Sequence, residues 1–204
     1  MRKKHIENAC RPRGLEGRLT LRRMNRRHAS MAAWGFSHLD LPRDAKTLDI
    51  GCGGGANLAE LLRRSPAGHV TGIDYSEVSV KKSSAFNKEA IRAGRCSVLQ
   101  GNVLDLPFPD GSFDAVTAFE TVYFWPEIGK ALQNVRRVLK EGGVFLLCNE
   151  TDGKSGPGLH WADNFNGMTV YTEEELTSLL RAAGFSRVTS DTSENGWLCF
   201  VCRK

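Results

Sequence analysis

The chain has 204 residues, 41% of them apolar and 25% charged, with a formal net charge of +5. That is room for one large domain and the composition of a folded chain rather than a disordered one. No window approaches 18 consecutive apolar residues, which excludes a transmembrane helix, and the N-terminal MRKKHIENACRPRG has charge without the apolar run of a secretory signal. A cytoplasmic protein is therefore expected, with its six cysteines as reduced thiols rather than a disulfide framework.

The first element is a basic arm. Residues 1–28 carry ten Lys/Arg and two acids, a balance of +8, whereas the remainder carries 18 Lys/Arg and 21 Asp/Glu, a balance of −3. The excess basicity is thus local. Such an arm either solubilises and docks on an acidic face or contacts phosphate; it lacks the interleaved aromatics that stack bases. After the breaker Arg11-Pro12-Arg13-Gly14, helices are expected over 15–26 and 28–38, the second with Met31, Trp34 and Phe36 as its apolar residues.

From residue 47 onward, strands and helices alternate. Strands are expected at 47–50, 69–74, 96–100, 113–119 and 144–148, and helices at 56–64, 77–92, 127–139 and 173–183, with Ser76 capping the second of these four. Val144 to Cys148 is almost wholly apolar, as in a strand covered on both faces. Two closing strands, 186–191 and 196–202, are separated too briefly for a crossover and should form an antiparallel hairpin. The alternation implies an α/β fold with a doubly wound, largely parallel sheet. Residues 151–169 form a loop long enough to act as a lid over the strand ends.

The chemistry concentrates in Leu48-Asp49-Ile50-Gly51-Cys52-Gly53-Gly54-Gly55-Ala56, where the first strand turns into a helix, and in Asp74, which ends the second strand 23 residues after Gly51. Glycines there admit positive φ and let a ligand touch bare backbone, and a strand-ending acid accepts from two ribose hydroxyls. Gly51-x-Gly53-x-x-Ala56 also fits the dinucleotide fingerprint. A carboxylate at Asp49, however, suits a cationic ligand better than a pyrophosphate. The alternate spacing of glycines 51, 53 and 55 and the terminal hairpin point the same way.

With LDIGCGGG (48–55), GIDYS (72–76), GNVLDLPFPDGSFDAV (101–116) and the LKEGG turn (139–143), the chain resembles the class I S-adenosylmethionine-dependent methyltransferases. Within them it is similar to the small single-domain group that includes the ubiquinone-biosynthesis-like enzymes. Met24-Asn25-x-x-His28 with Trp34 further resembles a subgroup with a helical lid before the core. The resemblance implies a Rossmann-like seven-stranded sheet in order 3-2-1-4-5-7-6. Residues 1–40 would be the arm and lid, and 41–204 the donor-binding domain.

It also implies roles. Asp49 would hold the amino end of the donor's methionyl part, with backbone from Gly51, Cys52 and Gly53. Asp74 would take the ribose hydroxyls and Tyr75 would pack on the adenine. Asn102, where many relatives have Asp, would accept from the adenine amino group beside Val103. Phe119 and Glu120 would face the sulfur and the acceptor, in front of Tyr123-Phe124-Trp125-Pro126. Glu120 has two readings: a cap or donor contact, or a direct role with the acceptor. Methyl transfer needs alignment and a dry site, and a base only if the nucleophile arrives protonated. Glu120, His160, Glu150 and Tyr171 are the candidates for that base, with Glu120 and His160 put forward as catalytic. Cys199-x-x-Cys202 reads as two core thiols, since residues three apart on a strand face opposite ways, and no metal site is expected. The expected partner is a small-molecule acceptor, with the chain a monomer or homodimer. The alternatives are an RNA or protein methyltransferase using the basic arm, and a non-catalytic donor-binding regulator.

Overall fold

The computed structural model describes residues 12–154 and 168–204. His160, and with it Trp161, Asp163, Asn164 and Phe165 of the expected lid loop, lies outside the described residues, as do residues 1–11 of the arm.

Two helices, α1 (Gly14–Arg27) and α2 (Ala29–Ser37), precede the sheet. Next come β1 (Lys46–Ile50), α3 (Ala56–Arg64), β2 (His69–Asp74), α4 (Glu77–Phe86), α5 (Lys88–Arg92), β3 (Cys96–Gln100) and β4 (Phe113–Phe119). A 3₁₀ turn (Val122–Phe124) leads to α6 (Ile128–Val138), β5 (Leu139–Asn149), α7 (Glu173–Ala182), β6 (Arg187–Thr192) and β7 (Leu198–Arg203). The seven strands form one sheet in the order β3-β2-β1-β4-β5-β7-β6. Strands β3 through β5 are parallel, while β7 runs antiparallel to both β5 and β6. This is the sheet that the resemblance implied, hairpin included.

Period-two alternation sends the central strands' side chains to two cores. Val116, Phe145, Leu147 and Phe200 meet Leu132 and Val135 of α6 and Leu176 and Leu180 of α7 on one face. On the other, Ala115, Phe119, Leu146 and Cys148 meet Met31 and Phe36 of α2 and Leu58 and Leu61 of α3. Cys199 and Cys202 fall into opposite cores, as strand geometry requires.

Two boundaries differ from the sequence reading. The helix expected over 77–92 breaks at Asn87, whose buried amide donates to the carbonyls of Gly55 at 3.0 Å and Ser83 at 3.1 Å. That tie to the glycine loop competes with the helical ladder. The strand expected from 144 begins at Leu139, so the LKEGG turn (139–143) is already part of β5, joined to β4 across a register shift between Phe113 and Ala115. Ser76 caps α4 as expected, accepting from the Ser79 N–H at 3.4 Å.

Candidate functional site

A cavity of about 880 Å³ opens at the C-terminal ends of β1, β2 and β4, where ligands bind in sheets of this kind. One wall is the glycine loop between β1 and α3. Gly51 has φ +76°, and a Cβ there would stand 2.2 Å from Thr121 Cγ2, so only glycine fits. The N–H groups of Gly51 and Cys52 donate to the Ile73 carbonyl at 2.8 and 3.1 Å, and that of Gly53 to Asp74 Oδ2 at 2.9 Å. These donors, expected to face a ligand, are thus engaged within the protein; the loop offers a ligand close backbone approach instead.

Asp49 and Asp74 stand on adjacent strands, at the ligand end. Asp49 is 1% exposed; Oδ1 accepts from the Thr117 hydroxyl at 2.6 Å, and the buried Oδ2 has no protein partner. Burial, with the nearby Asp74 charge, pushes the Asp49 carboxyl up to about 7 against the Thr117 bond. Burial also raises Asp74, opposed by the N–H groups of Ser76 and Gly53. Two desolvated carboxyls with one oxygen unpartnered form a site that favours a cation.

Tyr75, 52% exposed, stands at the rim, and Asn102 and Val103 line the wall beside Asp74. The Asn102 amide oxygen already accepts from the Leu104 N–H at 3.0 Å, which leaves one lone pair for a ligand donor. Phe119 is buried, its ring 4.6 Å from that of Phe36. Cys52 lines the cavity too, and burial raises its thiol well above the ordinary value.

The far end is lined by α1 and α2. Asn25 of α1 packs over the glycine loop so closely that a Cβ on Gly54 would meet its side-chain amide at 2.5 Å. Arg27 Nη2 lies 3.4 Å from both carboxylate oxygens of Glu150, and His28 Nε2 lies 3.8 Å from Glu150 Oε2. Glu120 does not cap the turn after it. Its Oε1 accepts from the Glu150 N–H and, at 3.2 Å, from the Tyr123 hydroxyl. Burial pushes the Glu120 carboxyl up to about 8. His28, Glu120 and Glu150 bring ligand-capable atoms within 4.8 Å of one another, the one such trio found among the described residues. Arg27 already supplies a cation on Glu150 there.

Asp74, Asn102, Phe119 and Glu120 line one cavity; Asp49 is buried and does not line it, although Ile50 and Gly51, which follow it, do. Thr121 and the packing role of Asn25 had no sequence signal, and His28 appeared only as part of a lid motif. No spacing rule links residue 28 to residue 150; the one hint was the Asn-x-x-His turn itself. Tyr171, a further base candidate, lies outside this cavity, by a shallow depression on α7 with Glu174 and Glu175.

The profile of a methyltransferase-domain family matches residues 48–147. These residues match a methyltransferase domain, within the sheet order that the class I resemblance implied. The chain is 37% identical over 100 residues to sterol 24-C-methyltransferase ERG6B of Gibberella zeae, covering 49% of this chain and 26% of that one. It is 36% identical over 131 residues to demethylmenaquinone methyltransferase of Listeria welshimeri, covering 63% and 53%. The chain thus spans about half or less of the length of these two relatives. The methyltransferase domain also superposes on the crystal structure of an S-adenosylmethionine-dependent methyltransferase from Aquifex aeolicus, with TM-score 0.76, 20% identity and coverage of 91% and 97%.

Proposed function

We propose that the chain transfers a methyl group from S-adenosylmethionine to a small-molecule acceptor. The observation that carries this reading is the buried, unpartnered Oδ2 of Asp49 beside the glycine loop. The donor's cationic amino group fits it, directly or through water. Asp74 keeps lone pairs for the ribose hydroxyls. Tyr75, Asn102 and Val103 frame the adenine, and Phe119 closes the floor near the sulfonium. The donor brings its own leaving group, so the protein's task is to align the reactants and exclude water.

A small acceptor is supported by the closed end of the cavity, where Met24, Met31, Phe36, Phe124 and Trp125 present apolar surface. The two relatives are named for sterol and menaquinone chemistry, both apolar small molecules. Residues 1–40 serve as arm and lid, and 41–204 as the donor domain. Among the described residues no helix is long and apolar enough to cross a membrane, and five cysteines are free and buried, which suits the reducing cytoplasm.

Calorimetry with S-adenosylhomocysteine tests the donor site: the wild type should bind, and Asp49→Asn should lose roughly 10- to 100-fold, the size of a charged hydrogen bond. Wild-type affinity in that variant would refute the assigned geometry. Methyl-labelled donor incubated with cell extract should then place label in the acid-soluble fraction.

A second reading rests on α1. Arg22, Arg23 and Arg26 are exposed there and have no acidic partner among the described residues. If RNA were the acceptor, label would enter the RNA fraction, and reversing these three charges would abolish it with donor affinity unchanged.

A further inference from the structure

The proposed donor contacts leave Glu120 in the cavity unused. Glu120, directly after β4, has φ +59°, a left-handed backbone that non-glycine residues adopt only when their surroundings hold them there. The result is a carboxyl in the cavity wall beside the aromatic side chains of Phe119, Phe124 and Trp125. The Glu150 N–H and the Tyr123 hydroxyl both donate to its Oε1. Resting on the methyltransferase reading above, we propose that Glu120 takes the acceptor's proton and that the acceptor is an aromatic hydroxyl.

The groups around Glu120 support this role. Glu150, at the end of β5, adds a like charge, whereas Arg27 of the lid adds an opposite one at longer range. Tyr123 donates a hydrogen bond, and the buried Cys148 thiol lies behind. His28 is held down by burial and by Arg27 against the pull of Glu150, which keeps it neutral at neutral pH. Burial leads these effects and lifts the carboxyl to about 8. A base of that strength is matched to a phenolic hydroxyl, which loses its proton near 10. An aliphatic alcohol is far too weak an acid, close to water. A thiol near 8.5 needs little help. An ammonium would add a second cation beside Arg27. The aromatic wall suits a flat ring.

The step balances. The hydroxyl proton passes to the Glu120 carboxylate as the oxygen lone pair forms the bond to the methyl carbon. The carbon–sulfur bond breaks with its electron pair staying on sulfur, so the sulfonium becomes a neutral thioether. Glu120 ends protonated and releases the proton to solvent when the lid opens. Arg27 and Glu150 are positioning residues that set the strength of the base.

The test has two arms. In carbon-13 NMR of protein labelled at glutamate carboxyls, one carboxyl should titrate near 8, vanish in Glu120→Gln, move to lower pH in Glu150→Gln and to higher pH in Arg27→Gln. Glutamates that all titrate in the ordinary range would overturn the proposal. In the second arm, labelled donor is offered with catechol, a naphthalene diol, benzylamine or benzyl alcohol between about pH 6 and 9. Methylation of the aromatic hydroxyls is expected, with a rate rising with pH to a plateau. Glu120→Gln should lower kcat by about 100-fold with S-adenosylhomocysteine affinity within about twofold of wild type. Turnover in that variant within about threefold of wild type, or preference for the amine or the aliphatic alcohol, would overturn it. Failure of the wild type to bind S-adenosylhomocysteine falls instead on the donor reading.

Discussion

The donor contact proposed for Asp49 starts from a side chain that is poorly placed in the free protein. Its carboxyl is buried with one oxygen unpartnered and sits near 7 rather than 3.8. The ionised form is disfavoured on folding, so the free protein should lose stability as pH climbs from about 4 and stop losing it above about 7. A bound ammonium reverses the preference. Donor-product affinity should therefore rise between about pH 6 and 8, and Asp49→Asn should flatten that rise; calorimetry across this range checks both. Thermal melts of Asp49→Asn without ligand should match or exceed wild type at pH 8, since a desolvated charge has gone. At Gly51 the constraint is steric. Gly51→Ala places a Cβ 2.2 Å from Thr121 Cγ2 at φ +76° and should cost about 1–3 kcal/mol, read by denaturant unfolding, together with donor affinity.

At the scale of elements, the glycine loop is held by later segments of the chain and not by its own sequence. Ile73 at the end of β2 supplies the carbonyl for two of its N–H groups, Asp74 fixes a third, and Asn87 at the α4–α5 break ties its last carbonyl. Asn87→Ala removes two buried hydrogen bonds and should destabilise by about 1–3 kcal/mol while loosening the loop, seen as weaker S-adenosylhomocysteine binding. Helix α6 plays a purely structural part. Leu132, fully buried against β5, should cost about 2–5 kcal/mol on truncation to Ala with donor affinity intact, measured by denaturant midpoint and calorimetry together. Element positions were legible because apolar periodicity reports burial directly: Leu58, Leu61 and Leu62 of α3 are all buried, as their spacing implied. The break at Asn87 was not legible, because its cause is a hydrogen bond to a residue 32 positions earlier.

Across the whole molecule, the segment around α2 is tied to the sheet side at both of its ends. Arg27 and His28 reach Glu150, and His38, just after α2, reaches Asp191 of β6 at 2.9 Å. Burial alone would lower His38, but the bond to Asp191 outweighs it and raises the imidazole above 6.5. The added stability is complete below 6.5 and is lost as pH rises through the raised value. Asp191→Asn should remove that dependence, read as the difference in melting temperature between about pH 6 and 8.

With the sheet order implied by the family resemblance, the sequence by itself determined the alternation of strands and helices, the glycine loop and the acids Asp49 and Asp74 near the ends of their strands. These arise from local periodicity, turn chemistry and the strand-to-helix alternation, each expressed within a few residues. The tertiary structure decided which way the loop's N–H groups point and that the Asn102 oxygen is half used. It also decided that Glu120 meets His28 and Glu150 at one end of the cavity. The loop is set by contacts 21 and 22 positions away and the Glu120 cluster by residues 30 to more than 100 positions apart, and the strength of its carboxyl by burial, which no spacing along the chain encodes.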